Sequence, residues 1–174
     1  AGIGIDFTSI TAVKERIWDK TLNVNLKGQW LIAKTFCRKM KIQKFEPLAG
    51  KIINMASIAG VKPDPFIPVY SISKVGVIAL TKLLASQLAP KVTVNCVSPG
   101  YHVTGIYDND VDLMQKTMDA GNVQTPLKRY GTIEDISNII VFLASPQSDF
   151  ITGQNIIVDG GITSVGVPPH LEFK

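Results

Sequence analysis

Apolar residues recur at three- and four-residue steps between about residues 9 and 43: Val13, Ile17 and Leu22, then Leu26, Trp30, Leu31, Ala33 and Phe36. That spacing predicts an amphipathic helix in two pieces. Asn23 and Asn25 lie between the pieces, and their side chains compete for backbone hydrogen bonds, so a bend is expected at Asn25. Residues 45–50 read as a loop. The run from Lys51 to Ser57 is nearly all apolar ahead of its serine and reads as a strand.

Pro63, Pro65 and Pro68 make 60–68 irregular. A long helix is expected over 69–89, with Pro68 just ahead of it and Pro90 stopping it. Between Lys74 and Ala89 its only other charge is Lys82, so it should be buried on more than one side, by the sheet and by a second subunit. Val92 to Ser98 is a β-branched strand closed by Pro99-Gly100. Residues 101–130 are mixed and polar, with one short helix near 111–119. Thr132 to Asp135 resembles a capping box opening a helix that runs to about Ala144. Asn155 to Asp159 forms a last strand, ended by Gly160-Gly161.

Strands alternating with helices predict an α/β fold, a doubly wound parallel sheet covered on both faces. Ligands of such sheets sit at the carboxyl ends of the strands. Here those ends are Ser57, Ser98-Pro99-Gly100 and Gly160-Gly161.

Composition narrows the class. The 174 residues are 45% hydrophobic and 18% charged, which fits one domain, residues 1–174, with a sizeable core. No apolar run approaches the roughly 18 uncharged residues of a membrane span. Cys37 and Cys96 lack the spacing of a metal or redox pair and favour a reducing, cytoplasmic setting. Residues 1–51 hold ten Lys/Arg against four Asp/Glu. Arg38, Lys39, Lys41 and Lys44 cluster where a helix should end, so they offset its dipole rather than mark a nucleic-acid site.

No GxSxG elbow, HExxH or Walker loop occurs, and Gly2-Ile3-Gly4 lacks the third glycine of a dinucleotide fingerprint. Asp108, Asp110 and Asp112 open like an EF-hand, but Leu113 replaces the turn glycine and Asp119 the bidentate glutamate, so no metal is expected. What remains is Tyr70-Ser71-Ile72-Ser73-Lys74. Tyr70 and Lys74, four apart, share a helix face. A tyrosine of reference pKa about 10 becomes a useful acid/base at neutrality when an adjacent ammonium stabilises its phenolate. By chance alone such a pair is unremarkable, and its company decides.

Ser57 ends a strand thirteen residues earlier, Asn25 sits at the bend, and Pro99-Gly100 with Thr104 follows the next strand. With Trp18-Asp19…Asn23-Val24-Asn25-Leu26-Lys27-Gly28 and Val158-Asp159-Gly160-Gly161, this order resembles the short-chain dehydrogenase/reductase family over nearly the whole chain. The resemblance implies a Rossmann-like sheet and hydride transfer between NAD or NADP and a secondary alcohol or ketone. It makes Tyr70 the acid/base, and Lys74 the residue that lowers its pKa and holds the nicotinamide ribose. Ser57 would bind the substrate oxygen, and Asn25 would hold a water linking Lys74 to solvent. Pro99, Gly100, His102 and Thr104 would line the cofactor, with His102 standing where relatives carry Ile or Val. That histidine either alters the fit or simply faces solvent.

Ala1-Gly2-Ile3 resembles the end of the family's Asn-Asn-Ala-Gly segment, which implies an N-terminally incomplete fold lacking on the order of 80 residues. Residues 101–130 would form the substrate lid, with Tyr101, Ile106, Tyr107, Met114 and Met118 as lining. A homo-oligomer, dimer or homotetramer, is expected through helices 9–43 and 69–89. The competing reading is a non-catalytic assembly module with an open strand edge at 51–57.

Overall fold

The computed structural model describes residues 2–4, 7–102 and 111–165. Its first helical stretch begins at Glu15, later than the periodicity suggests. Ser9 and Thr11 hydrogen-bond through their hydroxyls at 3.1 Å, and Ala12 N–H closes a turn on Ser9 O. Such local polar bonding competes with helix formation. Helix α1 (Glu15–Leu22) then runs through a π-helical turn, Asn23–Lys27, into α2 (Gly28–Lys41). The wide turn contains Asn25, where the bend is expected. Arg38, Lys39 and Lys41 occupy the last turn of α2, as the dipole favours.

Three parallel strands follow in the order β1-β2-β3: β1 (Gly50–Met55), β2 (Val92–Pro99) and β3 (Asn155–Val158). The register sets Ile52 beside Val94 and Cys96 beside Asn155. Between β1 and β2 lies α3 (Pro68–Leu88), and between β2 and β3 lie α4 (Val111–Gln124) and α5 (Ile133–Ala144). Pro68 falls inside the first turn of α3 rather than ahead of it; its fixed φ and missing N–H suit that position. Thr132 and Asp135 form the expected capping box on α5.

Side chains alternate across a strand, so β2 serves two layers. Val92 and Val94 pack with Ala85 and Leu88 of α3 and with Cys37 and Met40 of α2, while Cys96 meets Val77. Thr93, Asn95 and Val97, also buried, point to the other face, where α5 lies against β1 and β2. Each fully buried valine or leucine contributes about 1.5–3 kcal/mol. At the amino end of the sheet, Lys51 Nζ on β1 donates to Ser145 O, Ser148 Oγ and Asp149 Oδ1 at 2.6, 2.8 and 2.7 Å. This latch fastens the segment after α5 to the edge strand.

Helix α3 is buried on its sheet side, and Ile72, Val75 and Leu83 are exposed on the other, the side on which a second subunit is expected. At 21 residues with mean hydropathy 1.3 it is long and apolar enough to cross a membrane by length and composition. Its buried residues cover β2, the behaviour of a core helix. Two glycines allow the close approaches that build the site. A Cβ on Gly76 would stand 2.7 Å from Leu26 Cδ2, and one on Gly60 would stand 2.6 Å from the Lys74 carbonyl carbon.

Candidate active site

Tyr70 lies in the first turn of α3 and Lys74 one turn on. The Lys74 Nζ is 5.4 Å from the centre of the Tyr70 ring. Lys74 is 3% exposed, and burial lowers its pKa to about 8. Its ammonium donates to Met55 O, at the end of β1, at 3.0 Å. A buried cation without a carboxylate beside it is costly unless its hydrogen bonds hold it or a function needs it.

Ser57 follows Met55 by two residues and caps a 3-10 turn, Ile58–Gly60, its Oγ accepting from Ala59 N at 3.2 Å. Gly60 then lies flat on the α3 backbone at Lys74. The strand end, Ser57, and the Tyr70–Lys74 turn are thereby drawn to one place. Ser71, fully buried, holds the intervening loop: its Oγ accepts from Asp64 N at 3.0 Å and donates to Asp64 O at 3.3 Å.

Asn25 is fully buried in the π-helical turn. Its Oδ1 accepts from Ile3 N at 2.9 Å, and its Nδ2 donates to Ile3 O at 2.8 Å and to Ser73 Oγ at 3.1 Å. Ser73 Oγ donates in turn to Tyr70 O at 2.6 Å. The side chain thus joins the bend to the Tyr70 turn, a tie the sequence did not disclose. Gln29 was also missed. Its signal was present in a stripe of period four, Thr21, Asn25, Gln29, Ala33, polar in three of its positions and facing the protein interior.

Pro99-Gly100 packs tightly on the end of β3, where a Cβ at Gly100 would lie 2.7 Å from Asp159 Cα. His102 is 6% exposed, which corrects the option that it faces solvent. Its backbone bridges to Gly131, and its ring rests on the Gly131 α-carbon, where no side chain intervenes. A cavity of about 100 Å³ opens there, lined by Tyr101, His102, Thr125, Arg129, Asp159 and Gly160 among others. Neither Tyr70 nor Lys74 lines it. Tyr101 Oη donates to Gln124 at 3.1 Å, and Met114 and Met118 are half-buried on α4. Thr104, Ile106 and Tyr107 lie outside the described residues. Among the described residues no cluster of metal-ligating side chains occurs.

A family model described as enoyl-(acyl carrier protein) reductase matches residues 1–163. A 3-oxoacyl-(acyl-carrier-protein) reductase of Rickettsia felis is 37% identical over 166 residues, which cover 95% of this chain and 66% of that protein. The crystal structure of a gluconate 5-dehydrogenase from Burkholderia cenocepacia, in complex with NADP and tartrate, superposes with TM-score 0.84 at 33% identity, covering 94% of this chain and 62% of that one. An NAD+-bound xylitol dehydrogenase gives TM-score 0.80 at 31% identity, covering 92% and 66%. The chain therefore spans just under two thirds of the relatives it matches. Match length, sheet order and the Tyr70–Lys74 helix agree, and the chain belongs to the short-chain dehydrogenase/reductase family.

Proposed function

We propose that this chain carries the catalytic residues of a nicotinamide-dependent oxidoreductase that interconverts a secondary alcohol and a ketone. The observation that carries the reading is the buried Lys74 ammonium held against Tyr70 on one helix face. A cation so placed favours the phenolate, and so tunes Tyr70 Oη to give a proton to the carbonyl oxygen in reduction and to take it back in oxidation. Ser57, at the strand end, steadies the substrate oxygen as its charge changes. Asn25 keeps the π-helical turn and the Tyr70 turn in fixed relation through Ser73, and its role toward a relay water belongs to the same reading.

The residues present fit a nicotinamide cofactor. An ammonium has three N–H donors, and Met55 O takes one, so donors remain for the hydroxyls of a ribose. Pro99, the last residue of β2, and Gly100, His102 and Thr104, which follow it in sequence, would border it. The nicotinamide, when bound, supplies or accepts the hydride. NADP in one related structure and NAD+ in another support either form.

The relatives' names speak of a 3-oxoacyl group, gluconate and xylitol, which share a ketone or a secondary alcohol. Residues 101–130 are proposed as the substrate lid within a single domain. Exposed Ile32 and Phe36 on α2 and Leu83 on α3 support self-association. Two free cysteines, Cys37 and Cys96, support a reducing, cytoplasmic setting. In the whole protein, reduced nicotinamide should be consumed with a 3-oxoacyl thioester or a small keto-sugar. No consumption with a panel of both, beside a folded protein, would favour the assembly-module reading.

A further inference from the structure

Gln29 makes three hydrogen bonds to main chain, all at the site's margin. Its Oε1 accepts from Met55 N at 3.1 Å, while its Nε2 donates to Met55 O at 3.2 Å and to Asn25 O at 2.8 Å. A carboxamide nitrogen carries two hydrogens, so both are spent on these two carbonyls. Met55 O accepts from Lys74 Nζ as well, which fills its two lone pairs. One side chain therefore grips both the N–H and the C=O of Met55, the residue on whose carbonyl the Lys74 ammonium rests. It also closes the carbonyl of Asn25 within the widened π-helical turn.

We infer that Gln29 is a positioning residue for Lys74: it fixes the Met55 carbonyl in the orientation that receives the ammonium, and ties that carbonyl to the Asn25 turn. Met55 is the last residue of β1, and its N–H donates to Gln29 Oε1. The N–H of the peptide that carries the Met55 carbonyl, that of Ala56, donates to Val97 O at 2.8 Å, so the sheet holds one end of the peptide that leads to Ser57 and Gln29 steadies the carbonyl at the other. Tyr70 is the titratable group set against Lys74 on its own helix. The three ion pairs among the described residues, Lys51–Asp149, Lys91–Glu46 and Arg129–Asp135, do not include Lys74. The setting of the ammonium is thus governed by burial and by the Met55 carbonyl.

The inference deepens the proposed function, yet its test does not depend on hydride transfer. Lys74 is titrated in the whole protein by NMR of its labelled side chain, in wild type, Gln29→Leu and Gln29→Glu. Leu removes the grip and adds apolar surface, so the Lys74 pKa should fall by about one unit. Glu keeps an acceptor for Met55 N and brings a carboxylate near the ammonium, so the pKa should rise by about one unit or more. A shift below about half a unit in both variants, with the fold intact by circular dichroism, overturns the inference. Should Leu fail to fold, the Glu variant alone decides: an unmoved Lys74 contradicts contact and positioning together. If turnover later proves independent of Tyr70, the catalytic reading fails while these titrations still stand.

Discussion

The Lys74 ammonium sits 5.4 Å from the centre of the Tyr70 ring and 3.0 Å from Met55 O, so one buried cation joins the end of β1 to the first turn of α3. Ser57 and Asn25 are both held by way of these two elements.

Lys74 gives a pH dependence with a definite sign. Its pKa is about 8 in the folded chain and about 10.4 when unfolded. Between these values the unfolded state binds more protons, so stability rises with pH through that window. Below about pH 8 the buried charge costs roughly 3 kcal/mol. Denaturant titrations from pH 7 to 10.5 should show the rise, and Lys74→Met should abolish it while raising stability near pH 7.

Gly60→Ala should loosen the site. Its Cβ would meet the Lys74 carbonyl carbon at 2.6 Å, a backbone contact that cannot yield by a rotamer change. A loss of about 1–3 kcal/mol is expected from the forced displacement. Turnover should fall further than stability does, because the displaced segment carries Ser57. Thermal melts beside initial rates check both.

Much of this was legible in the residues. The break in the helix at Asn25, the Thr132–Asp135 capping box and the existence of the three strands all rest on local spacing. Helix α1 starts late because Ser9 and Thr11 bond to each other, a choice that hydrophobic period does not register. The reach of Asn25 to Ile3 and Ser73, and of Gln29 to Met55, joins residues 22 to 48 positions apart, and only the packed fold supplies it. His102 read as ambiguous because the glycine that makes room for its ring lies far along the chain, at Gly131.

Asn25→Leu should be strongly destabilising. It strands Ile3 N and Ile3 O and removes a donor from the buried Ser73 hydroxyl, which keeps its bond to Tyr70 O, and each unsatisfied group costs about 1–3 kcal/mol. Chemical denaturation should show a loss of at least about 2 kcal/mol. A change within about 0.5 kcal/mol would show that the turn does not depend on this side chain.

Lys51→Met tests the latch at the opposite end of the sheet. Removing the ammonium leaves Ser145 O and Ser148 Oγ short of a donor and Asp149 without its cation. A loss of about 1–3 kcal/mol is expected, with the Michaelis constant unchanged, since no residue of the catalytic group is touched. A comparable fall in turnover per folded molecule would contradict that separation.

Tyr70→Phe is the most direct test of the catalytic assignment, because it removes a single oxygen and keeps the ring that lies against Lys74. In the whole protein, hydride transfer to the substrate ketone should be lost, while binding of the reduced nicotinamide, read by its fluorescence, stays close to wild type. Turnover undiminished in that variant would contradict the assignment of Tyr70 as the proton donor.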